Sequence, residues 1–213
     1  MRVRDIMTSP AVSVPVSTLV LEAANLMKEK RIERLPIVEN GKLLGLVTKD
    51  RLLRVSPSMA TSLSLHEIQY LFAKLTVGEI MQKQVVTVGP DATVESAVRL
   101  AQEKAVGCLP VVEGDQLVGI LTTNDFFYLI LNPVLGIGEK GARVNVRHCT
   151  SAAKMVQALQ CAADLGFQVV NSAYLPSRRG NERDLILHVD REDVGGLVAC
   201  MREGGLDAEE RER

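Results

Sequence analysis

The pattern of hydrophobic and polar positions repeats itself within the first two thirds of the chain. A shift of 74 residues places Thr48 on Thr122 and pairs VRDIM at 3–7 with VGEIM at 77–81. The same shift pairs RLPIVENGKLLGLVT with CLPVVEGDQLVGILT, without a gap. Most of the identities fall at apolar positions or in turn segments, which two copies of one fold would keep. The sequence therefore predicts two copies of one structural unit, each too small to be comfortably stable alone.

Each copy carries the same series of strand and helix signals. A short strand and a proline-containing turn precede a helix whose apolar residues recur every three or four positions. Two strands then flank a hairpin turn, Asn40-Gly41 in the first copy and Gly114-Asp115 in the second, and a short amphipathic helix closes the copy. The first copy has predicted strands at 12–14, 35–39 and 43–48 and a closing helix near 50–54; the second has its first strand at 86–88 and its closing helix near 124–131.

Residues that can cap the two longer helices stand just before them. Ser17 or Thr18 is predicted to cap the helix of the first copy, and Asp91 or Thr93 the helix of the second. Between the copies, an amphipathic stretch with Leu65, Ile68 and Leu71 at helical spacing predicts a linking helix that packs on the pair or on a second subunit.

The pattern changes after Asn132-Pro133, where Gly136, Gly138 and Gly141 indicate a linker. The last third then predicts the order βαββα, with a further short strand near Leu206, which is the split-βαβ layout of ferredoxin-like domains. The predicted fold class is therefore α+β / α/β, a pair of βαββα-type repeats followed by a ferredoxin-like βαββαβ domain. The predicted divisions are a first repeat at 1–54, a linker helix at 55–76, a second repeat at 77–131, a linker at 132–142 and the last domain at 143–213.

Composition and charge narrow the function classes. The net charge of -1 over 213 residues leaves no basic excess for a nucleic-acid partner. No apolar run is long enough for a membrane span and the first residues lack a signal-peptide core, so we expect no membrane partner and a cytoplasmic location. The four cysteines form no CxxC pair and are predicted to be reduced and packed in or near cores.

The sequence offers little support for catalysis or a metal site. The three histidines lie in separate segments, and none has HxxxH or HExxH spacing. The chain has no GxSxG, P-loop or GxGxxG motif. We therefore predict a protein that is not an enzyme and has no metal.

The first 131 residues closely resemble the CBS domain pair, the regulatory module named after cystathionine β-synthase. The VRDIM-type opening, the LPIV and LPVV strands, the hairpin, and the GLVTKDR and GILTTND endings carry the resemblance. CBS pairs typically bind adenosine-containing ligands between the repeats, and a Thr/Ser-x-x-Asp segment contacts the ribose. Thr122 and Asp125 match this segment, whereas Arg51 takes the acidic position in the first copy. The resemblance therefore implies that the cleft of the second copy is the competent site.

The resemblance also implies further binding residues. The base would lie against Val106, Gly107 and Cys108 and against Thr76, Ile80 and Met81. The phosphates would meet Arg34, with Arg31 nearby, because an arginine fork suits phosphate. Two simpler roles stay open. Thr122 and Asp125 could cap the closing helix, and the two arginines could lie at the solvent-exposed end of a helix without binding a ligand.

The last third resembles an ACT domain, a small module that senses amino acids, on its element order and on GFQVVNSAY and LILHVD. His148-Cys149-Thr150-Ser151 stands where family members that bind amino acids usually carry a glycine-containing turn, so a dimerisation or docking role stays open beside ligand binding. The order CBS, CBS, ACT resembles bacterial proteins associated with acetoin utilisation, a likeness of architecture only.

These resemblances imply a non-catalytic regulatory sensor. It would bind an adenosine-containing ligand of the AMP or ATP type, with no other cofactor, and transmit its state to an effector protein or to the ACT-like domain. The family also implies a homodimer. A ligand-independent scaffold for dimerisation or interaction is the alternative.

Overall fold

The hairpin of each copy folds as predicted, and the two hairpins join into one antiparallel sheet. In a computed structural model that describes residues 1–55, 74–177 and 182–211, the chain divides into two units, Met1–Phe126 and Phe127–Arg213. The strands of the first unit are β1 (Arg34–Glu39), β2 (Lys42–Thr48), β3 (Cys108–Glu113) and β4 (Gln116–Thr122), in the order β1-β2-β4-β3. The two copies meet where Lys42 on β2 pairs with Gln116 on β4.

The hairpins are held by turns that need residues tolerant of positive φ. Asn40 and Gly41 have φ values of 50° and 79°, as a type I′ turn requires of both central residues. In the second copy Gly114 alone has a positive φ, 62°, at the first central position. Both hairpins also carry an irregularity at the same place, between Ile37 and Val38 and between Val111 and Val112. The predicted hairpins and the predicted likeness of the two copies are confirmed.

The helices around this sheet are α1 (Val20–Lys30), α2 (Lys49–Val55), α3 (Val77–Ile80), α4 (Val94–Glu103) and α5 (Thr123–Phe126). The two longer ones, α1 and α4, lie where apolar periodicity predicts, whereas the single turn α3 was not predicted. Thr93 caps α4 as predicted, because its side-chain oxygen accepts the Ser96 N–H at 3.2 Å. The predicted cap of α1 is wrong: Leu19 holds that position, and the Glu22 carboxylate accepts the Leu19 N–H at 3.2 Å. Glu22 thus satisfies the N–H of the residue at the cap position, whereas a cap by Ser17 or Thr18 would accept an N–H of the first helical turn.

The short strands predicted at 12–14 and 86–88 shrink to single bridges. Val14 pairs with Ile37 and Val88 with Val111, both in parallel orientation. Each valine exchanges backbone hydrogen bonds with the hairpin strand of its own copy at one position only, so no ladder develops.

The opening segment of each copy lies on the other copy. Thr8 bridges to Ile120 on β4, and Gln82 bridges to Leu46 on β2. Met7 lies against Gly119 and Met81 against Gly45, so a glycine in each sheet makes room for a methionine of the opposite copy. This exchange ties the two copies into one unit, and it decides which residues meet at the candidate site.

The second unit contains a second antiparallel sheet with helices packed on it. After a π-helical turn (Phe127–Leu131), its elements are α6 (Asn132–Leu135), β5 (Ala142–Arg147), α7 (Ala152–Asp164), β6 (Val169–Pro176), β7 (Arg183–Val189), α8 (Gly195–Glu203) and β8 (Asp207–Arg211). The strand order β6-β7-β5-β8 and the βαββαβ sequence agree with the predicted split-βαβ layout. The resemblance to the ACT family stays a prediction.

The two predicted linkers, 55–76 and 132–142, differ in how much of each the structure describes. Residues 56–73 of the predicted linker helix lie outside the described residues. In the predicted linker at 132–142, Asn132–Leu135 forms α6, which ends at Gly136 in a left-handed conformation with φ 58°. The division of the chain into five segments stays a prediction.

The prediction that all four cysteines are reduced is wrong for two of them. Cys161 and Cys200 form a disulfide between α7 and α8, although they are 39 residues apart in the sequence. Tertiary packing of two helices brings them together, which no sequence spacing could indicate. Cys108 and Cys149 are free and buried, as predicted.

Candidate functional site

The Thr122–Asp125 segment lies where β4 ends and α5 begins. The Asp125 carboxylate accepts hydrogen bonds from the Thr122 N–H at 2.6 Å and from the Thr122 hydroxyl at 2.7 Å. This is the helix-capping geometry that was left open as the simpler role. The other carboxylate oxygen of Asp125 accepts the hydroxyl of Thr8 at 3.3 Å. Asp125 therefore joins its own helix to the opening segment of the first copy.

A cleft of about 380 Å³ extends from Asp125 toward the end of α1. Its volume lies at the lower end of the range of roughly 300–1,000 Å³ that is typical of small-molecule sites. The cleft is lined by Thr8, Val12, Arg31, Ile32, Glu33, Arg34, Ile120, Thr122, Thr123, Asn124 and Asp125. Residues of both copies thus form its walls.

Two arginines of the first copy face this cleft without an ion-pair partner. Arg31 ends α1 in a left-handed conformation with φ 54°, and Arg34 begins β1 with its side chain half-buried. Among residues 1–55, 74–177 and 182–211, no carboxylate lies within ion-pair distance of either guanidinium, and the adjacent Glu33 pairs with Lys49 at 3.6 Å. The cleft therefore combines the Asp125 carboxylate, the two arginines and Glu33, whose carboxylate is paired with Lys49, which suits a ligand with hydroxyl groups and a phosphate.

The backbone before β3 forms another part of the site. The Gly107 carbonyl accepts hydrogen bonds from the Thr123 N–H at 3.2 Å and the Thr123 hydroxyl at 3.0 Å. A Cβ on Gly107 would stand 2.6 Å from the guanidinium of Arg34, so a glycine here lets the arginine cross close to the backbone. Val106 is half-buried and Cys108 is buried; burial raises the pKa of the Cys108 thiol, and Arg34 partly opposes this shift. Arg34, Gly107, Thr122 and Asp125 thus lie close together, and their role in binding stays a prediction.

Three residues predicted to join them lie elsewhere. Thr76 caps α3, where its N–H and hydroxyl both donate to the Glu79 carboxylate at 2.8 Å. Ile80 is buried in the core of the first copy, and Met81 lies against Gly45 on β2. None of these three residues lines the cleft with Asp125, because the opening segment of the second copy crosses to the sheet of the first. That they contact the base stays a prediction.

Thr8, Val12 and Ile120 are cleft residues that the sequence interpretation missed. A shift of 74 makes Thr8 the counterpart of Gln82, so the repeat itself places the two residues at matching positions. The sequence does not show that the two opening segments are exchanged between the copies. In the first copy the counterpart of Asp125 is Arg51, whose N–H donates to the Thr48 hydroxyl at 3.3 Å. That copy keeps the cap but offers no carboxylate at this position.

Comparison with known families decides the identity of this fold. The CBS domain model matches residues 3–58 and 77–132, more than half of the chain. The chain belongs to the CBS domain family. The tandem CBS pair predicted from the sequence repeat is therefore confirmed.

Two curated relatives differ in how much of their length this CBS pair covers. The chain is 29% identical over 147 residues to the CBS domain-containing protein YhcV of Bacillus subtilis, covering 68% of this chain and 95% of that protein. It is 33% identical over 144 residues to the inosine-5'-monophosphate dehydrogenase of Korarchaeum cryptofilum, covering 65% of this chain and 25% of that enzyme. In the enzyme, the similarity is therefore confined to a CBS part.

Three solved structures resemble the CBS pair. The Vibrio cholerae protein AcuB, to which acetoin utilization is attributed, is 32% identical with a TM-score of 0.53, covering 62% of this chain and 91% of that chain. The CBS pair of MJ0100, in complex with 5'-methylthioadenosine and S-adenosyl-L-methionine, is 26% identical with a TM-score of 0.51, covering 62% and 97%. CBSX2, in complex with AMP, is 30% identical with a TM-score of 0.51, covering 62% and 96%.

The described ranges contain neither a membrane-spanning helix nor a group of side chains placed to hold a metal ion. Across 1–55, 74–177 and 182–211, no helix is both long enough and apolar enough to cross a membrane. Over the same ranges, no group of three or more His, Cys, Asp or Glu side chains is placed to hold a metal ion.

Proposed function

We propose that this chain is a non-catalytic regulatory sensor whose CBS pair binds an adenine nucleotide in the Asp125 cleft. The observation that carries the proposal is the charge arrangement of that cleft. The Asp125 carboxylate stands in one wall, and the guanidiniums of Arg31 and Arg34, which form no ion pair with any residue that the structure describes, stand in another. The complexes of CBSX2 with AMP and of MJ0100 with S-adenosyl-L-methionine support an adenosine-containing ligand for such a fold.

Asp125 is proposed to hold the ribose. A carboxylate offers about four acceptor sites, of which Thr122 uses two on one oxygen and Thr8 uses one on the other. A ribose hydroxyl can therefore add to the oxygen that faces Thr8 or replace the Thr8 hydroxyl. Cap and ligand contact are compatible, since the cap uses the opposite oxygen.

Arg34 and Arg31 are proposed to hold the phosphates, and the backbone at Val106, Gly107 and Cys108 to face the base. Two guanidiniums without a carboxylate partner attract an anion and repel a cation. The proposed order of affinity therefore places AMP, ADP and ATP above S-adenosylmethionine, whose sulfonium is positively charged.

Regulation requires a second arrangement of the protein that binds the ligand less tightly. We propose that a homodimer and an effector protein, or the ACT-like C-terminal unit, respond to the difference. The proposed ACT-like segment at 143–213 could take an amino acid or serve only for docking, and titration with the common amino acids separates these roles.

The test is calorimetric titration of the full chain with AMP, ADP, ATP and S-adenosylmethionine. Asp125→Ala should weaken nucleotide binding by at least about tenfold, because a charged hydrogen-bonding partner is removed. Glu79→Ala is the matched control, since Glu79 receives the same two cap bonds from Thr76 but does not line the cleft. It should bind as the unchanged chain does.

The alternative has a distinct result. If none of the four compounds binds to folded, ligand-free protein, the ligand-independent scaffold becomes the better description. If Glu79→Ala loses as much affinity as Asp125→Ala, the loss reflects a damaged fold, and the proposed role of Asp125 is rejected.

A further inference from the structure

The disulfide of the C-terminal unit joins two neighbouring helices near their ends. Cys161 lies on α7 and Cys200 on α8, with 6.0 Å between their Cα atoms. Ala158 and Ala162 on α7 are fully buried in the same core, and such small side chains let a second helix approach closely. The fold therefore presents the two sulfurs to each other within one helix-packing contact.

The two sulfurs differ in exposure. Cys161 is 7% exposed, whereas Cys200 is only partly buried at the margin of the core. The free cysteines, Cys108 and Cys149, are 7% and 0% exposed, and burial raises the pKa of both thiols. A reagent in solution therefore reaches Cys200 more readily than any of the other three.

We propose that Cys161 and Cys200 are a reversible thiol–disulfide pair in which Cys200 reacts first with a small-molecule disulfide such as oxidised glutathione and Cys161 resolves the product. The Cys200 thiolate attacks one sulfur of the reagent, forms a mixed disulfide and releases one reduced thiol. The Cys161 thiolate then attacks the Cys200 sulfur, which forms the Cys161–Cys200 bond and releases a second reduced thiol. Two protons leave the protein, and the reagent takes up the two electrons.

Reversal needs a unit that remains folded without the bond. The buried core of this unit extends well beyond the two sulfurs, with Val144 and Val146 from β5 and Leu187 and Val189 from β7 at 0% exposure. The bond closes a segment that spans 39 residues, which stabilises a fold chiefly by restricting the unfolded chain. The oxidised and reduced forms should therefore share one fold and differ in stability, independently of any nucleotide in the CBS pair.

The experiment uses the full chain, reduced completely, freed of reductant and incubated with oxidised glutathione. Mass spectrometry after blocking free thiols should find the unchanged chain with the Cys161–Cys200 bond and no retained glutathione. Cys161→Ser should retain one glutathione on Cys200. Cys200→Ser should retain glutathione at least about tenfold more slowly, because Cys161 is buried. Cys108 and Cys149 are internal controls and should stay unmodified while the protein is folded.

Two results would overturn the proposal. Equal capture of glutathione by Cys161→Ser and Cys200→Ser would remove the proposed order of attack, and a link between chains would show that the pair does not close within one chain. The melting temperature with and without reductant is a second measurement, which does not depend on the capture of glutathione. Reduction should lower the melting temperature of the unchanged chain by several degrees and leave that of Cys161→Ser unchanged. A unit that loses its circular dichroism on reduction would contradict reversibility.

Discussion

At the scale of single residues, a carboxylate three positions after a threonine performs the same local task twice. Glu79 accepts two hydrogen bonds from Thr76, and Asp125 accepts two from Thr122. Of these two carboxylates, only Asp125 lines the candidate cleft, where its other oxygen accepts a hydrogen bond from the hydroxyl of Thr8 in the other copy. The difference between a cap and a candidate ligand contact therefore depends on the surroundings of the carboxylate, since the local motif is the same.

Glu79 gives a pH-dependent prediction. The two hydrogen bonds from Thr76, of which the backbone bond is the stronger cause, lower the pKa of Glu79 below its ordinary value of 4.5. A lowered pKa means that the cap stabilises the fold above about pH 4.5 and that this contribution is lost as the pH falls through the folded pKa. Glu79→Gln should therefore lower the melting temperature at about pH 7, and it should lower it by less at about pH 3.

The control for this comparison is Glu39→Gln at the end of β1. Glu39 is exposed and lies at the turn of the first hairpin, so the same chemical change removes a charge that takes no part in a cap. A loss of stability in Glu79→Gln that is equal at both pH values would contradict the ionised cap.

The sequence could predict the site residues that share a motif, and only those. Thr122, Asp125, Arg34 and Gly107 follow from the repeated LPIV and GILTTND segments, and the structure brings them together. Thr8 belongs to a different copy and comes near Asp125 only because the opening segments are exchanged. No residue type or spacing along the chain indicates that exchange, so the sequence could not predict that Thr76, Ile80 and Met81 lie outside the lining of this cleft.

At the scale of elements, the two hairpins show one architecture built with two turn chemistries. The first uses positive φ at Asn40 and Gly41, and the second only at Gly114. Both turns are two residues long and keep the same register on either side, from Glu39 paired with Lys42 and from Glu113 paired with Gln116. What the two turns share is therefore a positive φ at the first central position.

Gly114 allows this shared conformation to be tested without side-chain crowding. A Cβ at Gly114 would meet no atom within 4 Å, so the effect of a substitution comes from its φ of 62°. Gly114→Val should cost about 1–2 kcal/mol of unfolding free energy, because β-branched residues strongly disfavour left-handed backbone. The measurement is the midpoint of urea unfolding.

Gly114→Asn is the matched variant, since asparagine adopts left-handed backbone readily and Asn40 already does so in the first hairpin. It should stay within about 0.5 kcal/mol of the unchanged chain. Equal losses in the two variants would mean that the size of the side chain, rather than its conformational preference, decides the outcome.

Elements with a local sequence signal were predictable, and elements held by tertiary contacts were not. The strands that flank the hairpins are apolar runs bounded by their own turns, so their bounds could be read within one residue. Val12–Val14 looked like a strand by composition but pairs at one position, because the adjacent chain turns away toward α1. The cap position of α1 was also not predicted: Leu19 holds it, and the Glu22 carboxylate accepts the Leu19 N–H.

At the scale of the whole molecule, the internal repeat predicted a pair of copies and the change of pattern after Asn132 predicted a different unit. Both features could be predicted from the sequence, because they depend on the order of elements along the chain. The Cys161–Cys200 bond could not be predicted, because it depends on the packing of two helices against each other within one unit. The candidate cleft lies within Met1–Phe126 and the disulfide within Phe127–Arg213, so each proposed event belongs to a single unit.

That separation makes the two proposals independently testable in one calorimetric scan of the full chain. A ligand present at roughly 100 times its Kd adds about 2.7 kcal/mol to the stability of the unit that binds it, which raises that unit's melting temperature by on the order of 10 °C. AMP should therefore raise the melting temperature of the CBS pair, and reductant should lower the melting temperature of the C-terminal unit.

Asp125→Ala should lose the AMP shift and keep the reductant shift, while Cys161→Ser should do the reverse. An AMP shift that survives in Asp125→Ala would move the nucleotide out of this cleft, whereas a missing reductant shift in the unchanged chain would reject only the thiol pair. Because each variant serves as the control for the other, neither failure can be mistaken for a general loss of folding.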